Sequence, residues 1–112
     1  LSLFYLHLAP PNCAGTIPEA LGNLSALESL WLENNSLEGH IPPQLGDLGA
    51  LKYLYLSNNK LDGNIPPELG DLRQLQRLWL NDNHLTGHIP ASLGKLSNLK
   101  ELKLSVTNLS GE

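Results

Sequence analysis

One cysteine, Cys13, leaves the chain without an intrachain disulfide and makes its redox compartment unreadable from cysteine usage. Cationic charge is scarce. Seven Lys and Arg stand against eleven Asp and Glu, a net charge of -4. This is the reverse of the basic footprint of a nucleic-acid binder, and it is equally unsuited to an anionic membrane surface. Long apolar runs are missing too. Every leucine-rich segment is broken by polar residues well before the roughly 18 residues of a membrane span, so this segment is expected to make no membrane contact. The opening Leu1–Leu8 has neither the initiator Met nor the basic lead-in of a signal peptide. No G-x-S-x-G, H-E-x-x-H, phosphate loop or Rossmann glycine fingerprint occurs, and Gly94-Lys95 is followed by Leu96 where a phosphate loop has Ser or Thr. Neither an enzyme nor a cofactor is expected from these residues.

What the chain does have is periodicity. Gly15, Gly39, Gly63, Gly87 and Gly111 follow one another at steps of 24 residues. The same step links Ile17-Pro18, Ile41-Pro42, Ile65-Pro66 and Ile89-Pro90, and the Leu-Gly pairs that begin at Leu21, Leu45, Leu69 and Leu93. Leucine columns repeat from Leu24, Leu27, Leu30 and Leu32. A fixed period of this length overrides local readings of helix and strand and indicates stacked units. Written out, the unit is LxxLxxLxLxxNxLxGxIPxxLGx.

Each part of the unit has a physical reason. In Leu30-Trp31-Leu32 apolar residues alternate, the pattern of a strand with one buried face. A lone strand cannot bury its leucines, whereas coils stacked in parallel at about 4.8 Å share one core, and five of them make a sheet about 20 to 25 Å across. Asn35, Asn59 and Asn83 stand where each strand ends and the chain turns inward. A buried amide offers both donors and an acceptor, so this asparagine ladder is expected to satisfy the stranded backbone groups from coil to coil. The column fails at Thr107, with Asn108 one place late, and the last coil is expected to be irregular. Proline in Ile-Pro is expected to open a short helical turn, and the glycine of Leu-Gly to end it. Gly39 and its equivalents are expected to allow a bend. Strands inside and narrower turns outside bend the stack, so the sheet should be concave.

The unit resembles the plant-type leucine-rich repeat of receptor-like kinases, receptor-like proteins and polygalacturonase-inhibiting proteins, over essentially the whole chain. The resemblance implies an α/β solenoid: a right-handed superhelix with a parallel β-sheet on the concave face and short 3₁₀ or helical turns on the convex face. Residues 1–112 read as a single solenoid of about five coils. Neither end shows a capping unit with a polar outer face, so the chain is expected to be a piece of a longer protein, with flanking repeats as neighbours. Cys13 shares the phase of Leu37 and Leu61 and is expected in the core as a small hydrophobe.

Function is sought on side chains the repeat does not need. One outward column reads His7, Trp31, Tyr55, Trp79 and Lys103; its neighbour reads Tyr5, Ser29, Tyr53, Arg77 and Glu101. Both tryptophans and all three tyrosines of the chain fall in these columns. Cross-strand aromatic pairs stabilise a sheet by about 0.2–1 kcal/mol each, but aromatics with arginine are also the residue types of binding hot spots. Tyr5, His7, Trp31, Tyr53, Tyr55, Arg77 and Trp79 are therefore the expected ligand-binding residues, with their rings facing solvent and Arg77 paired to Glu101. A third column, Ala9, Glu33, Ser57, Asn81 and Ser105, is small and polar and suits hydrogen bonding to a peptide backbone or a glycan. His40 and His88, two coils apart, are too far from each other to share an ion, and no metal site is expected. Asn23, Asn34 and Asn108 begin N-glycosylation sequons.

These features point to a protein or peptide partner gripped by the concave sheet of an extracellular or cell-surface receptor-like or secreted protein. Two alternatives stay open: a scaffolding segment within a larger assembly, or the repeat region of a multidomain kinase or GTPase, the latter including a cytoplasmic setting.

Overall fold

The computed structural model describes residues 3–8 and 14–104 in full and residues 108–110 by their backbone. Every coil contributes a strand to each of two parallel sheets. The first sheet runs β1 (Tyr5–His7), β3 (Ser29–Trp31), β5 (Tyr53–Tyr55), β7 (Arg77–Trp79) and β9 (Glu101–Lys103). The second runs β2 (Ala14–Thr16), β4 (Ser36–His40), β6 (Lys60–Gly63), β8 (His84–His88) and β10 (Asn108–Ser110). Between coils, 3₁₀ turns occupy Glu19–Asn23, Pro43–Asp47, Pro67–Asp71 and Ala91–Lys95. The solenoid fold expected from the repeat is present. The second sheet is an addition that the repeat did not announce.

The first sheet keeps the repeat's own register, pairing Ser29 with Tyr53 and Tyr53 with Arg77, a step of 24. The second pairs Ala14 with Ser36, Glu38 with Lys60 and Asp62 with His84, a step of 22. A slip of two residues per coil preserves which side chains face inward, because strand alternation has period 2. It nevertheless joins residues of different repeat phase.

The core is a stack of leucines. Leu30, Leu54 and Leu78 have 0% relative exposure, and Ile41 and Ile65 extend the same cluster toward the turns. At about 25 cal/mol per Å² of apolar surface, these buried columns are the main term holding the coils together. Asparagines close each coil at its strand exit. Asn59 Nδ2 donates to the carbonyls of Leu32 at 2.9 Å and Leu56 at 3.1 Å, while its Oδ1 accepts from the Leu37 N–H at 3.0 Å. Asn83 repeats the set one coil on, to Leu56, Leu80 and the Leu61 N–H. The preceding residues, Asn34, Asn58 and Asp82, turn the chain with φ of 60°, 57° and 60°, the left-handed region that Asn and Asp tolerate best among residues with a side chain. Thr107, where the ladder pattern fails, lies outside the described residues, as does Cys13.

Two expectations about the turns need correcting. Pro42 precedes its turn in extended geometry, φ -66° and ψ 131°, and it is Pro43 that begins the turn. Gly46 does not end the turn but lies within it. A Cβ on Gly46 would sit 2.5 Å from the Glu68 carbonyl oxygen of the next coil, so glycine there allows adjacent turns to approach. The Gly39 bend is as expected, with φ +80°.

Candidate functional site

Strand alternation points Leu30 into the core and Trp31 toward the concave surface, and the in-register pairing repeats that choice at Tyr55, Trp79 and Lys103. Side chains on neighbouring strands then stand within ring-contact distance. Trp31 and Tyr55 have centroids 5.3 Å apart, Tyr55 and Trp79 4.1 Å, Tyr5 and Trp31 5.2 Å, and His7 and Trp31 5.4 Å. Tilted and edge-on geometries of this kind are worth about 0.5–1.5 kcal/mol per pair beyond the area buried. The strip is thus one continuous aromatic stack.

Contact within the stack changes what it presents. Tyr55 was expected to face solvent; it is 5% exposed, enclosed between Trp31 and Trp79. Ser29, also expected outward, is 8% exposed and accepts a 2.6 Å hydrogen bond from Trp31 Nε1. The reason is spacing: rings wider than the interval between strands fill the gap and cover their smaller neighbours. Tyr5 is 48% exposed, Trp31, Tyr53 and Trp79 are partly exposed, and Arg77 is exposed.

Polar partners orient the far end. Arg77 Nη1 donates to the Tyr55 hydroxyl at 3.4 Å, its Nε lies 3.9 Å from Glu101 Oε1, and its Cζ sits 5.5 Å from the Tyr53 centroid. The Arg77–Glu101 pairing expected from their column is therefore present. The Tyr55 hydrogen bond is the leading reason the Arg77 guanidinium holds its proton even more tightly than an ordinary arginine, with Tyr55 and Glu101 charge adding to it. Trp79 Nε1 donates to Glu101 Oε1 at 3.0 Å, and Lys103 Nζ lies 4.0 Å over the Trp79 ring. A cation seated on a ring face is attracted by the quadrupole of the ring. Lys103 belongs to the site although sequence reasoning left it out; its membership of the tryptophan column was the available signal.

The third column is more covered than a free polar rail. Ser57 is 4% exposed, and Glu33 Oε1 and Asn81 Oδ1 are covered with no hydrogen bond among the described residues. Ala9 and Ser105 lie outside the described residues. On the second sheet, the 22-residue register puts His40, Asp62 and His84 in one row, with His40 Nδ1 3.7 Å from Asp62 Oδ1. Period-24 reasoning could not have found that row. No group of three His, Cys, Asp or Glu gathers as a metal site among the described residues. Asn23 and Asn34 are exposed, and Asn108 lies on β10, where only the backbone is described.

The model of the leucine-rich repeat region family matches residues 1–112. The chain belongs to that family. No curated protein sequence matches this leucine-rich repeat region. Among solved structures it is similar to the ectodomain of the Arabidopsis thaliana membrane receptor kinase GASSHO1/SCHENGEN3, solved in complex with CASPARIAN STRIP INTEGRITY FACTOR 2, at 44% identity and TM-score 0.92, covering 94% of this chain and 13% of that one. It is similar to the Arabidopsis receptor kinase HAESA, solved with the peptide hormone IDA and the co-receptor SERK1, at 40% identity and TM-score 0.92, covering 97% and 18%. A plant ice-binding protein matches at 35% identity and TM-score 0.85, covering 96% of this chain and 34% of that one. The leucine-rich repeat region thus spans a small part of each relative's length.

Proposed function

We propose that this leucine-rich repeat region is a protein-interaction module in the extracellular part of a receptor-like or secreted protein, with its concave sheet as the surface for a peptide or protein partner. The observation that carries the reading is the strip itself: partly exposed Tyr5, Trp31, Tyr53 and Trp79 linked by ring contacts through Trp31 and the enclosed Tyr55, ending in Arg77 and Lys103 on ring faces. Rigid coils keep these groups in place before a partner arrives, which lowers the entropic cost of association. The receptor-kinase relatives solved with CASPARIAN STRIP INTEGRITY FACTOR 2, and with the peptide hormone IDA and the co-receptor SERK1, support the reading.

Tyr55 belongs to the surface as support, since its ring is enclosed and its hydroxyl steadies Arg77. Trp31, Trp79 and Arg77 are among the residues that can meet a partner directly. The test selects random linear peptides on the immobilised chain and measures their affinity for the parent and for Trp31→Ala, Trp79→Ala and Arg77→Ala. At least one substitution should cost about 2 kcal/mol, about thirtyfold in affinity. Unchanged affinity across all three, with circular dichroism showing intact folding, would sink the reading.

A further inference from the structure

The turn after each concave strand is built alike in three coils, yet only one of them can be modified. Asn34, Asn58 and Asp82 occupy it with φ near +60°, and each is followed by a buried ladder asparagine. The residue after that is Ser36, Lys60 and His84 in turn, so only Asn34-Asn35-Ser36 forms an Asn-x-Ser acceptor. The Asn34 backbone is anchored, its N–H donating to the Ser57 carbonyl at 3.0 Å. Its side chain is exposed and makes no hydrogen bond among the described residues. A bulky, solvated group attached there displaces nothing from the fold.

Position gives that attachment a consequence. Asn34 leaves the rim of the concave face three residues after Trp31 and next to Glu33, whereas Asn23 closes a 3₁₀ turn on the opposite, convex side. We propose that Asn34 carries an N-linked glycan in the secreted chain, and that this glycan shields the β3 end of the aromatic strip. The β7–β9 end, with Arg77, Trp79 and Lys103, is then the open part of the partner surface. This rests on the extracellular reading above, and it adds a control on which half of the strip a partner reaches.

Asp82 shows that the turn accepts aspartate, so Asn34→Asp removes the acceptor without disturbing the backbone. Ser36→Ala removes it independently, and Ala14 already occupies the paired position on β2. The parent chain, these two variants and Asn23→Asp are secreted from insect cells and weighed intact before and after enzymatic release of N-glycans. Trp31 and Trp79 oxidation by N-bromosuccinimide is followed by peptide mapping. The expected result is that Asn34→Asp and Ser36→Ala each lose one glycan mass relative to the parent, and that release of the glycan speeds oxidation of Trp31 but not of Trp79. An unchanged mass in Asn34→Asp overturns the proposal, and so does a Trp31 oxidation rate that ignores the glycan. Neither measurement uses a partner, so the partner-binding reading stands or falls separately. A secreted parent glycosylated at Asn23 alone overturns the assignment to Asn34 while leaving the extracellular reading intact.

Discussion

The two sheets share one backbone repeat and differ in what they do with it. In the concave sheet the pairing step equals the repeat, so like residues stack: leucine on leucine inside, ring on ring outside. In the second sheet the step is two residues shorter, and unlike residues meet, Glu38 beside Lys60 and His40 beside Asp62. Stacking of equals gathers one chemistry into a continuous strip. A slipped register disperses chemistry into isolated pairs, and exposed pairs contribute little.

Substitutions can break or sharpen this contrast, and urea unfolding followed by circular dichroism reads all of them. The largest effect belongs to the element that joins the sheets. Asn59→Leu strands the Leu37 N–H and two or more carbonyls in the interior, and it should cost about 2–4 kcal/mol. Next comes Tyr55→Ala on the concave side, expected to cost about 2–3 kcal/mol through lost ring contacts and a cavity, against about 0.5 kcal/mol or less for Tyr5→Ala, which is half exposed. If the two cost the same, the stack is not a packed unit. Gly46→Ala, pressed against the Glu68 carbonyl, should cost about 1–3 kcal/mol, while Gly49→Ala meets open space and should stay within about 0.5 kcal/mol. Smallest is Asp62→Asn on the second sheet, whose contact with His40 is exposed on both sides; the change should be under about 0.5 kcal/mol. A larger value would mean that the second sheet carries more than isolated pairs.

Much of this was legible in the residues. The Leu30, Leu54 and Leu78 column named the core, and Asn35, Asn59 and Asn83 named the ladder, because both are repeated at the pairing step of the concave sheet. The aromatic columns were legible for the same reason. Burial of Tyr55 and Ser29 was not, since it depends on ring width relative to strand spacing and on neighbours one coil away. The His40–Asp62–His84 row stayed hidden because its step of 22 is not the repeat. Gly46 was misread because a tight approach between coils leaves no local mark that distinguishes it from a glycine ending a turn.

The asparagine ladder gives the stack a direction. Asn59 takes its outside partners, the Leu37 N–H and the Leu32 carbonyl, from the coil before its own, and Asn83 reaches back in the same way. Each coil is therefore finished by its successor. Cutting the array on its C-terminal side would leave the last coil with an unanswered backbone N–H, whereas a cut on the N-terminal side would leave the first asparagine its own-coil acceptors but take away the donor to its Oδ1. Shortening from the two ends therefore strands different groups, a backbone N–H at one and a side-chain oxygen at the other.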